Sequence, residues 1–278
     1  MRKVFIIAYA FALLIVLNAN DYDGLAIASP SGALQVELIV FAAASMTDSL
    51  EEIAVLYSNV KPNVTLTFNF DSSGTLRTQI QEGAECDVFI SAAQLQMNQL
   101  DITSPETINP ARFDFVDTDT RFDILENRVV LAVPSGNPKN IYNFRDLADM
   151  LLRGEILTAI GNRDVPVGQY TLQIFECFNL NEQELVASGS ITYGSNVREV
   201  STHISEASVD CGIIYATDAF SAGLDIVDYA TADMCGRVIY PAAVLKTSKK
   251  PEAACAFLEY LTSDEAMAVF GSIGFSRP

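Results

Sequence analysis

Short apolar runs and helical repeats take turns along this chain, and that alternation constrains its fold more than any other feature. Val36 to Phe41 reads as a buried strand, after which Leu50, Ile53, Leu56 and Tyr57 recur at helical spacing. Val64-Thr65-Leu66-Thr67-Phe68-Asn69-Phe70 alternates strictly, as a half-buried strand does, and a helix holding Leu76 and Ile80 closes at Gly83. Asp87 to Ile90 and a helix from Gln94 to Leu100 repeat the order. A polar, irregular stretch over 101–125, with Pro105 and Pro110, separates this series from a second. The second opens on the strand Arg128 to Pro134 and runs through a helix near Leu147 to Leu152, the strand Leu157 to Ile160 and the helix Tyr170 to Phe178. Ile191 to Tyr193, a helix from Val197 and the strand Gly212 to Tyr215 complete it. Val238 to Leu245 then leads into a single amphipathic C-terminal helix, Ala253 to Phe270. Such an order predicts an α/β fold of two lobes, each a mostly parallel sheet flanked by helices. With 278 residues, 50% of them apolar, the chain can fill two cores.

The strand ends share a character. The stretch VFAAASMTDSL, residues 40–50, runs from a strand into a helix through three alanines and a serine. Asp71-Ser72-Ser73-Gly74-Thr75, Val165-Pro166-Val167-Gly168 and Gly194-Ser195-Asn196-Val197 make comparable junctions. In open α/β sheets ligands sit beyond the carboxyl ends of strands, where the next helix presents N–H groups without partners and the positive end of its dipole. A single junction is explained by helix capping alone, and Ser45 with Asp48 reads as an ordinary capping box. Four of them, two per lobe, point to an anion held between the lobes.

Charge and cysteine content set further bounds. Arg2 and Lys3 precede the apolar run Val4 to Leu17, and small residues follow at Ala26-Ile27-Ala28-Ser29, the layout of a secretory signal; an uncleaved anchor is the other reading. Residues 1–34 are therefore expected to be signal peptide and leader, and the remainder extracytoplasmic. The formal charge of −18 argues against nucleic acid and anionic membranes as partners. Five cysteines leave room for one disulfide, with Cys211 and Cys235 the nearest pair in sequence, but spacing does not fix a pairing. The first cysteine is Cys86, so a lipid-anchored N-terminal cysteine is not expected. Neither a CxxC pair nor a Cys/His cluster suggests a metal cation. A serine hydrolase fares poorly, since His203 is the single histidine and no G-x-S-x-G elbow is present.

Val40 to Ser45, Ser72-Ser73-Gly74-Thr75-Leu76, Asp87 to Ala92, Val165 to Tyr170 and Gly212-Ile213-Ile214-Tyr215-Ala216-Thr217-Asp218-Ala219 resemble, in order, the successive signatures of the periplasmic molybdate-binding proteins. These are type II solute-binding proteins, the capturing components of molybdate ABC importers, and the resemblance spans roughly residues 36 to 275. It implies a monomeric, non-enzymatic, hinged binding protein with its ligand cleft between the lobes. Implied boundaries are 35–126 for lobe I, 127–236 for lobe II and 237–278 for a return segment and C-terminal helix in lobe I. The implied contacts are the hydroxyls and amides of Ser45 and Ser73, the amides of Val167 and Val197, and the phenol of Tyr215. They would hold molybdenum only as its oxyanion, with tungstate accepted alike, no cofactor, and a permease with its ATPase as partners. Other tetrahedral oxyanions, sulfate or phosphate, and small organic anions remain the alternative.

The chemistry of that guest matches the junctions. Molybdate at neutral pH carries no proton, so it only accepts hydrogen bonds and calls for a cage of donors. Each hydrogen bond to a charged group contributes ~1.5–3 kcal/mol net, so half a dozen suffice without a cationic side chain. Overall acidity does not veto capture, because exposed charges are screened beyond about 8 Å. Val167 stands where the resembled family more often has alanine, and Ala93 where it usually has an acid. Asp71 replaces a small neutral residue and is expected to face solvent; facing the cleft, it would repel molybdate and accept a proton from hydrogen phosphate. Arg77, Arg128 and Arg198 are expected in salt bridges or solvent, not on the ligand.

Overall fold

The computed structural model describes residues 35–278, and the expected signal and leader, 1–34, lie outside them. These described residues fall within one compact unit. Within it the first lobe begins with β1 (Val36–Ala43), a 3-10 turn at Ala44–Met46, α1 (Thr47–Val60), β2 (Val64–Asp71), α2 (Ser73–Gln81), β3 (Val88–Ile90), α3 (Gln94–Asn98) and β4 (Phe122–Asn127). The second contains β5 (Val129–Val133), α4 (Phe144–Leu152), β6 (Thr158–Gly161), α5 (Pro166–Cys177), α6 (Glu182–Ala187) and β7 (Ile191–Gly194). It continues through α7 (Val197–Ser205), β8 (Cys211–Tyr215), α8 (Ala216–Ser221), β9 (Asp225–Tyr229) and α9 (Ala232–Cys235). The chain returns with β10 (Val238–Val244), α10 (Pro251–Leu261) and α11 (Asp264–Ser272).

Two five-stranded sheets result, ordered β2-β1-β3-β10-β4 and β7-β6-β8-β5-β9. In the first, β1 runs parallel to β2 and β3 while β10 is antiparallel to β3 and β4. In the second, β6 runs parallel to β7 and β8 while β5 is antiparallel to β8 and β9. Each sheet therefore has one reversed strand, β10 or β5, and its other strands share a direction. Burial follows position: the central strands β5 and β8 are buried throughout, whereas β2, at an edge, exposes Thr65 and Thr67. A single residue, Arg128, separates β4 of one sheet from β5 of the other.

Several elements differ from what periodicity predicts, and the short helices α6, α8 and α9 are not foreseen by it at all. The polar stretch 101–125 gives way to β4, whose Ile124 and Leu125 are buried. Its charged residues masked it: Glu126 pairs with Arg237 at 2.6 Å, and Asp123 accepts from the Gln94 side-chain amide. The strand β9 was hidden similarly, because Asp225 and Asp228 spend their carboxylates on the amides of Gly136 and Phe144. The expected single C-terminal helix is two. Thr262 ends α10, and Ser263 starts α11 by accepting the Ala266 amide.

Candidate functional site

The carboxyl ends of β1, β2, β6 and β7 meet where the lobes face each other. There a cavity is lined by Ser45 and Ser73 from the first lobe and by Val197 and Tyr215 from the second. Ala43, Ala44 and Ala92 keep its wall thin, and Val165 with Pro166 closes the far side. It offers about 10 Å³ to the centre of a water-sized body, close to the space of a single water molecule. Val167, expected to contribute an amide, does not line this cavity itself; its neighbours Val165 and Pro166 do, and its side chain is fully buried. A roomier cavity of about 350 Å³ lies at the amino ends of β1 and β3, lined by Ile39, Asp87, Phe115 and Lys250 among others. None of the four strand–helix junctions above lines it, and its lysines sit beside Glu85 and Asp87.

Local sequence decides which amides the site receives. Ser72 caps α2 by accepting from Thr75, so Ser73 and Gly74 hold the first two N–H groups, beyond reach of any carbonyl four residues back. Asn196 caps α7 through Glu199 in the same way, leaving Val197 and Arg198 in those positions. In α5 the first residue is Pro166, which has no N–H, and the amides of Gly168 and Gln169 both reach the Val165 carbonyl. That leaves the Val167 amide as the donor of this first turn. Ser195, although at the same junction, is consumed locally: its amide and hydroxyl both donate to Glu199.

Three hydroxyls accompany the amides. Ser45 Oγ lies 2.9 Å from Tyr240 Oη, and Ser73 Oγ accepts the Ala92 amide at 2.9 Å. Tyr215 is buried, and its hydroxyl has no hydrogen-bond partner. Burial, reinforced by Tyr240, Tyr170 and Asp218 nearby, pushes this phenol well above its ordinary pKa and keeps its proton in place. Its ring is held edge-on by Tyr170 and Tyr240 at centroid distances of 6.4 and 6.0 Å. A buried O–H lacking an acceptor costs free energy, and its position on the cavity wall supplies the reason for its retention.

The charged groups stand around this cage. Arg198 reaches across the lobes, donating to the Ala44 carbonyl at 3.2 Å and pairing with Asp48 at 2.5 Å. Burial opposes ionisation of Asp48, but Ser221 and Arg198 outweigh it and hold the carboxyl below its usual range. These residues border an adjoining cavity of about 180 Å³ with Asp218, whose fully buried carboxyl is pushed up to about 7 by burial against the opposing pull of Arg198. Arg77 bonds Gln99, and Arg128 stacks over the Tyr229 ring at 4.0 Å, so neither lines the cage. His203 is half-buried and pairs with Ser208. Asp71 departs from its expected solvent-facing position. It is the last residue of β2, where alternation gives way to the turn, and it lines the cavity with Oδ1 accepting the Ser72 amide at 2.7 Å. All five cysteines are free thiols; Cys211, one of the nearest pair in sequence, lies within β8 with its sulfur 3.2 Å from Thr158 Oγ1.

Sequence reasoning missed Tyr240 and Asn127. Neither lines the cavity, yet Tyr240 touches Ser45, and Asn127 donates to Tyr240 at 3.2 Å and to Thr217 at 2.9 Å. Both belong to strands, and nothing in strand periodicity separates a tyrosine that packs from one that also holds a neighbouring serine.

Comparison with known proteins places this arrangement. YvgL of Bacillus subtilis, whose name classes it as an ABC transporter substrate-binding lipoprotein, is 33% identical over 99% of this chain and 97% of its own length. The molybdate-binding protein ModA of Haemophilus influenzae is 31% identical over 88% of this chain and 92% of its own. In structure, the periplasmic molybdate-binding protein of Azotobacter vinelandii shares the two-lobed fold with a TM-score of 0.72 at 20% identity, covering 87% of this chain and 99% of that one. The family model for bacterial extracellular solute-binding proteins matches residues 38–276. These relatives are solute binders rather than enzymes, and this chain belongs to the bacterial extracellular solute-binding protein family.

Proposed function

We propose that this protein captures molybdate, and tungstate with it, outside the cytoplasm and delivers it to an ABC importer. The observation that carries the reading is the Tyr215 hydroxyl, buried without a partner on a cavity wall that also receives Ser45, Ser73 and the first amides of two helices. A cage of neutral donors suits a dianion that only accepts. Half a dozen charge-assisted hydrogen bonds, less the costs of association and closure, support affinity in the nanomolar region, about −12 kcal/mol. Val167 joins through its amide, the one left over in the first turn of α5. No catalytic group takes part.

Lobe I comprises 35–126 and 237–278, lobe II 127–236, and the two close on the ion by bending at the crossings near Asn127 and Arg237. A permease with its ATPase receives the ion from the monomeric binding protein. Residues 1–34 act as the export signal.

Asp71 favours one rival, hydrogen phosphate, because a carboxylate on the wall accepts the proton that this ion carries. Calorimetric titration with molybdate, tungstate, sulfate and phosphate separates the readings. Molybdate and tungstate are expected to bind alike, with sulfate far weaker because a smaller ion cannot reach every donor at once. Phosphate binding most tightly would overturn the molybdate assignment.

A further inference from the structure

We infer that Asn127 and Tyr240 are positioning residues that fix the direction of hydrogen-bond donation into the cage, so that Ser45 offers its proton, and not a lone pair, to the guest. The inference rests on the oxyanion reading and goes beyond it by naming what sets the cage's polarity.

Asn127 is buried, and its carbonyl Oδ1 accepts the amide of Arg128 at 2.8 Å. That contact settles the amide's orientation, because an oxygen must face the N–H. Its Nδ2 therefore faces Tyr240 Oη, at 3.2 Å, and Thr217 Oγ1, at 2.9 Å, and a carboxamide nitrogen can only donate. Tyr240 is fully buried and has a single hydroxyl proton. Asn127 Nδ2 cannot accept that proton, so of the two groups bonded to Tyr240 Oη only Ser45 Oγ, at 2.9 Å, can receive it. Ser45 in turn accepts from Tyr240 and keeps its own proton for the cavity.

Ser73 reaches the same polarity independently. Its Oγ accepts from the Ala92 amide, another group that cannot accept, so its proton is likewise released toward the cavity. With the unpartnered Tyr215 hydroxyl, three O–H groups then point their protons at one guest. A hydroxyl is otherwise ambivalent, equally able to receive a proton from hydrogen phosphate or from a protonated acid. Here a backbone amide and a remote carboxamide remove that ambivalence. The relay also spans the molecule's joint: Asn127 ends β4, Thr217 lies in α8 of the second lobe, and Tyr240 belongs to the returning β10.

The test is a pair of double-mutant cycles read by calorimetry. Tyr240→Phe is expected to weaken molybdate binding about 5- to 20-fold in the wild-type background and by less than 2-fold in Ser45→Ala. Equal losses in both backgrounds would overturn the relay, because Tyr240 would then act by packing alone. Asn127→Asp converts the sole donor into an acceptor and reverses the chain. Its negative charge acts through space whether or not residue 240 has a hydroxyl, so that contribution cancels between backgrounds. The expected loss is therefore larger, by 5-fold or more, with Tyr240 intact than in Tyr240→Phe; an equal loss would also overturn the relay. Should Asn127→Asp fail to fold, the Tyr240 and Ser45 cycle decides alone. Wild-type titration bears on the ligand reading separately, and the cycles are run with whichever of molybdate, sulfate or phosphate the wild type binds.

Discussion

A Cβ on Gly74 would sit 2.0 Å from the carbonyl oxygen of Asp164, closer than atoms can approach. Gly74 belongs to α2 of the first lobe, and Asp164 precedes α5 of the second, so the bare glycine lets the lobes meet over the cavity. Gly74→Ala is expected to block that approach while leaving each lobe intact, since alanine in a helix stabilises by ~0.5–1 kcal/mol relative to glycine. Calorimetry should show molybdate affinity down by two orders of magnitude or more, and a melt without ligand should show an unchanged or slightly raised midpoint. Unaltered affinity would mean that binding does not require this contact.

Removal of the Tyr215 hydroxyl should act in opposite directions on binding and on folding. Tyr215→Phe forfeits one hydrogen bond to a charged guest, about 1–3 kcal/mol of affinity. It also removes a buried O–H that has no partner in the protein, so the ligand-free variant is expected to be at least as stable as the parent in denaturant. Paired titrations and urea melts read both signs, and unchanged affinity would take Tyr215 out of the site.

Asp218 gives a pH signature. Its carboxyl is pushed up to about 7 by burial, above the 3.8 of an ordinary aspartate, so between these values the folded chain holds a proton that the unfolded chain releases. The contribution of this group to stability therefore falls as pH rises through roughly 4 to 7 and is flat beyond, the whole effect being of the order of a few kcal/mol. Asp218→Asn should remove this slope, matching the parent near pH 4 and exceeding it near pH 8 in chemical melts. Parallel curves at both pH values would contradict the assignment.

Arg198 and Asp48 join the lobes, yet both side chains are about half exposed, with 43% and 44% of their surface accessible. An ion pair so placed contributes no more than ~1 kcal/mol and weakens with salt. Arg198→Ala should accordingly change the unfolding free energy by less than about 1 kcal/mol. Because the same guanidinium holds the Ala44 carbonyl beside Ser45, ligand affinity should fall by more than stability does. A melt and a titration at two salt concentrations separate the two effects.

Much of this was legible in the chain because burial writes itself as periodicity. Val36 to Phe41 with the helix after it, and the strand Gly212 to Tyr215, follow from apolar spacing alone, and the small residues at strand ends line the cavity. Elements whose charges are neutralised by distant partners were not legible, as in β4, where Glu126 finds Arg237 only after folding. Asp71 was misplaced for a related reason: alternation predicts its face only while the strand continues, and β2 stops at that residue. Tyr240 and Asn127 escaped notice because their importance lies in the direction of a proton, which no pattern of apolar residues encodes.

The strand that lies between β3 and β4 is β10, nearly the last to leave the ribosome. Residues 129–229 supply every strand of the second sheet in one continuous stretch, so that half can mature while the chain is still being made. The first half cannot; it waits with a gap in its middle until the C-terminal segment arrives to fill it. A nascent chain stalled before Val238 is thus left with one finished half and one unfinished.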